Sequence, residues 1–340
     1  MEQMNDIIVP ARSEGASDIH ISEGRPLLMR VNGKLTKAKI QPEPGGIRQI
    51  ILDTLDGEKL DRLGLGEDLD FAIATPDGNR QRVNVFRYQG KLAATIRLLN
   101  GRIPSLEELR LPRVLQELAD QPRGLILVTG PTGSGKSTTL AAMIQYINEN
   151  RSEHIITVED PIEYVYEDRL SLIHQREVGD DVGSFAGALR SALREDPDVI
   201  LVGEMRDYET ISAAVTAAET GHLVMSTLHT TGAGQTIDRI IDACPAAAQN
   251  QIRTQLSGIL KGIITQCLIP TTDGRGRVAA TEILTGTDAV LNLIRENKCY
   301  QMSSVMQSSG ANGMHTLNGD LCRLVRGGQI TVQNAYKYSN

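Results

Sequence analysis

The chain has 340 residues, of which 40% are hydrophobic and 23% are charged, and a formal net charge of −7. The length predicts two domains, and the composition is typical of a soluble globular protein with a substantial core. The acidic balance and the 3% of aromatic residues weigh against a nucleic-acid partner.

Residues 1–99 have the pattern of a mixed α/β domain. Their alternating apolar residues predict strands at 16–22, 27–31, 81–86 and 92–97, and Asn32-Gly33 predicts a tight hairpin. The N-terminus has no basic and apolar leader, so we expect a cytoplasmic protein. Residues 100–113 contain Pro104 and Pro112 and predict a linker to a second domain, 114–340.

In the second domain, short apolar runs alternate with helical periodicity. The apolar runs at 125–128, 154–158, 199–202 and 223–225 predict buried parallel strands. Helices are predicted at 138–150, after an N-cap at Ser184, and at 209–220. This alternation predicts a parallel sheet with helices on both faces. Residues 271–340 are predicted to be mainly helical, and no run is long enough to span a membrane.

A phosphate loop is the strongest local signal. The segment 130–137 reads Gly-Pro-Thr-Gly-Ser-Gly-Lys-Ser and matches G-x-x-x-x-G-K-[ST] between a predicted strand and a predicted helix. The glycines permit turns that point backbone N–H groups at phosphate, and the helix N-terminus adds its positive dipole. Lys136 can reach the β- and γ-phosphates, and the Ser137 hydroxyl can bind Mg²⁺. The predicted ligands are therefore ATP and Mg²⁺, and the loop residues are Gly130, Pro131, Thr132, Gly133, Ser134, Gly135, Lys136, Ser137 and Thr138.

Two acidic segments follow predicted strands, so their carboxylates should emerge at the sheet edge where open α/β sheets bind ligands. Glu204 is the candidate that binds Mg²⁺, partly through water, although Gly203 replaces the usual terminal Asp of a Walker B strand. Glu163 is the candidate that polarises the attacking water, with Glu159 and Asp160 as helpers. A helix cap or a surface salt bridge is the alternative for each carboxylate.

Two histidines and two arginines are further candidates. His222 and His229 stand at the two ends of an apolar strand, where a structural role and a hydrogen bond to the γ-phosphate are both open. Neither histidine has a partner at metal-ligand spacing, so no zinc site is expected. Arg82 and Arg97 lie on separate predicted strands and are either paired surface charges or arginine fingers for another subunit.

Four segments, in order, resemble the secretion-ATPase superfamily of type II secretion and type IV pili. They are the phosphate loop, the acidic box 159–163, and residues 192–207 and 220–230. Within that superfamily the chain is most similar to the type IV pilus retraction ATPases, over nearly its whole length. The resemblance implies a PAS-like α+β N-terminal domain and a RecA-like P-loop ATPase domain with a helical tail. It also implies a homo-hexameric motor that hydrolyses ATP to power pilus retraction and twitching motility.

The resemblance also assigns roles by matching position. It implies that Glu163 is the catalytic carboxylate, that Glu204 has the Walker B role, and that His222 and His229 lie near the γ-phosphate. Arg82 and Arg97 match N-terminal-domain arginines that are expected to reach the phosphates. The implied partners are the inner-membrane pilus platform protein, contacted at the cytoplasmic face of that membrane, and a second retraction ATPase.

Retraction is favoured over extension by two features of the second domain. Extension motors usually carry an additional N-terminal domain and a four-cysteine metal site, whereas Cys244, Cys267, Cys299 and Cys322 include no C-x-x-C pair. Residues 289–296 resemble the Ala-Ile-Arg-Asn-Leu-Ile motif of retraction ATPases, although Val290 replaces Ile and Leu291 replaces Arg. The alternatives are a pilus-assembly or type II secretion ATPase and a low-turnover accessory retraction ATPase.

Overall fold

A computed structural model describes residues 2–31, 33–43, 45–75, 79–99 and 101–340. The predicted turn residue Asn32 and the first predicted linker residue, Asn100, lie outside the described residues. The chain forms two compact units. The first unit is Met1–Arg102 together with Pro161–Val165, and the second is Ile103–Asp160 together with Tyr166–Asn340.

The first unit is an antiparallel sheet with helices on one face. Its elements are α1 (Glu2–Ser13), β1 (Ala16–Ser22), β2 (Leu28–Val31), β3 (Lys34–Lys37), α2 (Gly46–Leu52), α3 (Gly57–Gly64), β4 (Leu69–Ala74), β5 (Arg80–Tyr88) and β6 (Lys91–Leu98). The strand order is β3-β2-β1-β6-β5-β4. Ile19, Val83 and Ile96 point to the helical face and are fully buried. The four predicted strands are confirmed, and the structure adds β3 and β4.

The second unit contains the remaining elements. Its strands are β7 (Gly124–Thr129), β8 (His154–Glu159), β9 (Leu172–Glu177), β10 (Val199–Val202), β11 (Leu223–Leu228), β12 (Leu260–Pro270) and β13 (Arg277–Thr285). Its helices are α4 (Val114–Ala119), α5 (Lys136–Asn150), α6 (Phe185–Ala192), α7 (Tyr208–Glu219), α8 (Ala233–Asp242), α9 (Ala246–Ile259), α10 (Asp288–Arg295), α11 (Met302–Ser308), α12 (Leu317–Arg326) and α13 (Val332–Tyr338). No helix in the described part of the chain has the length and apolarity needed to cross a bilayer.

The second sheet has helices on both faces, as predicted. Its strand order is β13-β12-β7-β11-β10-β8-β9, and only the β12–β13 pair is antiparallel. Along β7, Leu125 and Leu127 pack in one core cluster with α6 to α9, whereas Ile126 and Val128 pack in another with α4 and α5. A strand covered on both faces is apolar at nearly every position, which explains the apolar run at 125–128 of β7.

The β12–β13 hairpin was not predicted. It pairs with β7 and forms one side of the sheet, and β13 lies inside the segment that was predicted to be mainly helical. Helices do account for the rest of that segment's regular structure. The hairpin escaped prediction because β12 follows α9 directly, from Ile259 to Leu260, with no loop between the helix and the strand.

A polar cluster joins α12 to β13 and gives the C-terminal part a pH-sensitive contact. Asp320 is 2% exposed, and its carboxylate accepts from the Thr281 N–H at 2.8 Å and from Arg323 Nε at 2.6 Å. His315 Nε2 lies 2.9 Å from Thr281 Oγ1. Burial lowers the pKa of His315 below its usual value, and the nearby Asp320 only partly offsets that effect.

We predict that this histidine weakens the fold in acid. Because His315 binds a proton less tightly in the folded chain, its stabilising contribution is complete above the unfolded pKa of about 6.5. That contribution is lost as the pH falls through the lower folded pKa. Thermal unfolding between pH 7.5 and pH 5 should show a steeper fall in Tm for the wild type than for His315→Gln. Parallel Tm curves for the two proteins would contradict the prediction.

Candidate active site

The phosphate loop occupies the turn between β7 and α5. The helix begins at Lys136, two residues before the predicted start at Thr138. Gly130 has a φ of 138°, and a Cβ there would stand 2.3 Å from the Gln266 carbonyl oxygen. Gly135 has a φ of 91° at the helix N-cap. Both positions therefore require glycine, one because β12 approaches closely and the other because the backbone is left-handed.

Lys136 is buried at the mouth of this loop. Its Nζ donates to the carbonyl oxygens of Gly130 at 2.9 Å and Pro131 at 3.1 Å. His229 Nδ1 lies 3.5 Å from the same ammonium group. A bound phosphate would replace these neutral acceptors with anionic oxygens, which form stronger, charge-assisted hydrogen bonds.

Gln266 on β12 stabilises the phosphate loop through hydrogen bonds, and the sequence did not predict this role. Its Nε2 donates to the Ser134 carbonyl at 2.6 Å, and its Oε1 accepts from Thr139 Oγ1 at 2.9 Å. One residue earlier, Thr265 Oγ1 lies 2.8 Å from Thr129 Oγ1. The bond to Ser134 spans 132 residues and arises only because β12 pairs with β7. The local signal was a Thr-Gln pair between two apolar runs, 263–264 and 267–269.

We expect Gln266→Ala to weaken nucleotide binding by roughly tenfold and to destabilise the fold by about 1–3 kcal/mol. The substitution leaves the Ser134 carbonyl and the Thr139 hydroxyl buried without a partner. A fluorescent-nucleotide titration and thermal unfolding measure the two effects. Gln121→Ala is the matched control, because that amide makes one exposed hydrogen bond to the Glu117 carbonyl. Equal nucleotide affinity in the two variants would count against this stabilising role.

Glu204 lies just beyond the end of β10, at the same edge of the sheet as the loop. Two contacts to β11 hold its backbone there: Met205 N–H donates to the Thr227 carbonyl at 3.3 Å, and Thr227 Oγ1 donates to the Gly203 carbonyl at 2.6 Å. The Glu204 side chain is 16% exposed. Gly203 follows directly after β10, and the carboxylate belongs to the next residue.

His229 connects Glu204 to the phosphate loop. It follows β11, which lies between β7 and β10. Its Nε2 lies 3.5 Å from Glu204 Oε2, and its Nδ1 faces Lys136. Arg206 Nε lies 2.7 Å from the same Glu204 oxygen. The structure therefore brings together Lys136, His229, Glu204 and Arg206 in one chain of contacts, of which sequence reasoning named the first three.

His222 lies at the opposite edge of the sheet. Its Nδ1 lies 2.8 Å from the Ala217 carbonyl oxygen, and its own carbonyl accepts from the N–H of Gly124, the first residue of β7. A six-residue strand rises by about 20 Å, so the length of β11 separates His222 from the loop. The prediction that His222 lies with His229 beside the γ-phosphate is therefore wrong within one chain, where only His229 is near the loop among these two histidines.

The two glutamates of the acidic box, Glu159 and Glu163, differ in the hydrogen bonding of their carboxylates. Glu159 ends β8, and its Oε1 accepts from Thr157 Oγ1 at 2.7 Å and from Gln175 Nε2 at 3.2 Å. Glu163 is half-buried in Pro161–Val165, and among the described residues its carboxylate has no hydrogen-bond or ion-pair partner. Asp160 is exposed at the start of this segment. Glu159 is thus held by Thr157 on its own strand and by Gln175 on β9, whereas no side chain in the described part of the chain occupies the Glu163 carboxylate.

Arg82 and Arg97 are cross-strand neighbours on β5 and β6, on the face of the first sheet that the helices leave uncovered. Arg82 Nε and the second guanidinium nitrogen contact the Asp70 carboxylate at 3.0 and 2.5 Å. Arg97 Nε lies 3.2 Å from Asp18. Exposed ion pairs of this kind contribute little stability, so both arginines can exchange partners at small cost.

The donor set fits Mg²⁺ bound together with phosphate. Ser137 is exposed in the first turn of α5, and its hydroxyl has no partner in the part of the chain that the structure describes. Across the same residues, no group of three or more His, Cys, Asp or Glu side chains could hold a metal ion. Mg²⁺ usually keeps several waters and takes one or two protein ligands plus substrate phosphates. Ser137 and Glu204 meet that requirement, and a protein-only cage is not needed.

Comparisons with known proteins agree on one family. The family model for type II/IV secretion system proteins matches residues 1–336. The chain is 47% identical to the type IV pilus retraction ATPase PilT of Pseudomonas aeruginosa, over 98% of this chain and 96% of that protein. It is 56% identical to a twitching motility protein of Neisseria gonorrhoeae, over 79% and 72% of the two chains. A crystal structure of the pilus retraction motor PilT with bound ADP superposes with a TM-score of 0.91, at 47% identity, covering 99% of this chain and 96% of that one.

Proposed function

The chain belongs to the family of type II/IV secretion system proteins, and from that membership we propose that it is an ATPase that powers type IV pilus retraction. Its near full-length similarity to a retraction ATPase supports the choice within the family. The observation that supports the chemistry is the contact of Lys136 with His229 and of His229 with Glu204, at the carboxyl edge of a RecA-like sheet.

The loop residues have separate roles in this proposal. The loop N–H groups and Lys136 bind the β- and γ-phosphates of ATP, and His229 donates a hydrogen bond to the γ-phosphate. Ser137 and Glu204 would hold Mg²⁺, Glu204 partly through water, and the bound ion would supply positive charge beside the phosphates. Glu163 accepts a proton from the attacking water, because its carboxylate is uncommitted, whereas Glu159 positions the end of β8.

The working form in this proposal is a homo-hexamer. Each chain contributes a PAS-like N-terminal domain (1–99), a linker (100–113) and an ATPase domain (114–340). The ring works at the cytoplasmic face of the inner membrane against the pilus platform protein, with a second retraction ATPase as a further partner and without nucleic acid. The cysteines give no support to a metal-binding extension motor, since Cys244 and Cys299 are buried free thiols. Leu291, where the motif has arginine, packs partly buried against the core.

Arg82 supplies a positive charge to phosphate in the assembled ring, and we expect Arg82→Ala to lower kcat by at least about tenfold. Arginine fingers contribute roughly 10³–10⁵-fold, and the exposed Asp70 pair is easily exchanged. Steady-state hydrolysis by the hexamer measures the effect. Arg87→Ala is the matched control, because Arg87 is on the same strand and its Nε donates to the Leu63 carbonyl. Unchanged hydrolysis by Arg82→Ala would mean that Arg82 forms a surface ion pair with Asp70 and has no role in hydrolysis.

Deleting the gene in its host tests the direction of the motor. We expect excess surface pili with loss of surface motility, and restoration of both by the wild-type gene but not by Lys136→Ala. Bald cells would identify a pilus-assembly or secretion ATPase instead.

A further inference from the structure

A small cleft opens beside the contact chain in the second unit. Its volume is about 160 Å³, and it is lined by Glu204, Met205, Arg206, Thr227, Leu228, His229, Thr230 and Arg239. Pockets that bury drug-sized ligands measure roughly 300–1,000 Å³. We call the space among Glu204, Arg206, His229 and Arg239 the arginine cleft. Its volume is sufficient for a small ion but too small for a nucleotide.

The charges of the arginine cleft favour an anion. Arg239 projects from α8, is exposed, and has no hydrogen-bond or ion-pair partner for its guanidinium among the described residues. Arg206 is 73% exposed and pairs with Glu204. Two guanidinium groups and one carboxylate thus line the cleft, so its net charge is +1 when His229 is neutral. Guanidinium groups bind phosphate oxygens through paired N–H donors.

His229 separates the arginine cleft from the phosphate loop. Its Nδ1 faces Lys136 at 3.5 Å, and its Nε2 faces Glu204 at 3.5 Å, so the two ring nitrogens look toward different sites. The side chain is 49% exposed. An anion that leaves Lys136 and passes this imidazole reaches the two arginines.

We propose that the arginine cleft binds inorganic phosphate cleaved from ATP before the phosphate leaves the protein, with Arg239 as its principal ligand. This inference rests on the proposed ATPase function. Hydrolysis transfers the γ-phosphoryl group to water and leaves ADP on the loop, so phosphate and ADP can depart by separate routes. Arg206 shifts from Glu204 toward the passing phosphate, an exchange of one charged acceptor for another.

Phosphate binding to the ADP-loaded hexamer tests the site directly. Equilibrium dialysis with ³²P-labelled inorganic phosphate compares the wild type with Arg239→Gln and Arg239→Lys. We expect Arg239→Gln to weaken phosphate binding by at least about tenfold, the usual loss for a charge-assisted hydrogen bond. Arg239→Lys should lose less affinity than Arg239→Gln, because it keeps the positive charge but not the paired N–H donors. Arg275→Gln, in the exposed β12–β13 turn, is the control and should match the wild type. ADP affinity within about twofold in every variant verifies the fold.

A single-turnover experiment then distinguishes product phosphate from phosphate taken up from solution. Acid quench times the cleavage of ATP, and a fluorescent phosphate sensor times release. The delay between the two should shorten in Arg239→Gln, because the product is held less tightly. Weaker equilibrium binding with an unchanged delay would overturn the proposal, since the cleft would then take only free phosphate.

Two further outcomes would also overturn it. Equal phosphate affinity in the wild type and Arg239→Gln would remove Arg239 from the site. A loss of phosphate binding that accompanies dissociation of the ring, measured by light scattering, would make Arg239 an intersubunit contact. Wild-type ATP hydrolysis is measured in the same preparations, so a chain that fails to hydrolyse ATP contradicts the proposed function rather than this site.

Discussion

We expect Lys136→Ala to lower the affinity for ATP by at least about tenfold and to abolish measurable hydrolysis. The ammonium group lies at the mouth of the loop, where two carbonyl oxygens hold it at 2.9 and 3.1 Å. It is therefore already placed for the phosphates and needs little reorganisation to bind them. Charge-assisted hydrogen bonds contribute about 1.5–3 kcal/mol each, which corresponds to a factor of roughly 10–100 in affinity.

Isothermal titration with a non-hydrolysable ATP analogue measures the loss. Lys337→Ala, on the exposed surface of α13, is the control and should bind the analogue like the wild type. Thermal unfolding of Lys136→Ala verifies its fold, because the lost bonds to Gly130 and Pro131 are internal to the loop. An unchanged dissociation constant in a folded Lys136→Ala protein would remove the phosphate-binding assignment from this segment.

We expect Glu163→Gln to keep ATP binding and hexamer assembly but to lower kcat by about 100-fold or more. The amide retains the shape of the side chain but cannot accept a proton from water, and general-base catalysis contributes typically 10²–10⁴-fold. The structure supports this choice of residue, since the Glu163 carboxylate has no partner among the described residues, while Glu159 is bonded to Thr157 and Gln175.

Three substitutions, measured side by side, separate the acidic candidates. Glu167→Gln is the control, because that exposed carboxylate pairs with Arg169 at the surface. Glu204→Gln should raise the Mg²⁺ concentration required for activity as well as lower kcat, because its proposed role includes the metal. Near-normal kcat in Glu163→Gln, combined with a large loss in Glu159→Gln, would move the water-activating role to Glu159.

The distinction between Glu159 and Glu163 illustrates where sequence reasoning stopped. Both residues follow an apolar strand and both are acidic, so spacing gave them equal access to the sheet edge. Only the packing of β8 against β9 places Gln175 beside Glu159 and so assigns it a structural partner. A strand pairing of this kind depends on the whole sheet and has no signature in the five residues of the box.

Sequence alone determined the features whose physics is local. The turn of 130–137 follows from its glycines, the strand before it from four consecutive apolar residues, and the helix after it from its periodicity. The parallel direction of the strands follows from their alternation with helices. These features also place Lys136, Glu204 and His229 at one edge of the sheet, because parallel strands end together.

The tertiary structure decided which side chains touch. It placed Gln266 beside the phosphate loop, 132 residues away from Ser134 in sequence, and it placed His222 at the far edge of the sheet. It also placed Arg206 and Arg239 around a cleft that no sequence motif predicted. Contacts between distant residues depend on strand order and on the register of neighbouring strands. Those quantities are fixed by the burial of the whole core on both faces of the sheet, and no short segment of the sequence contains them.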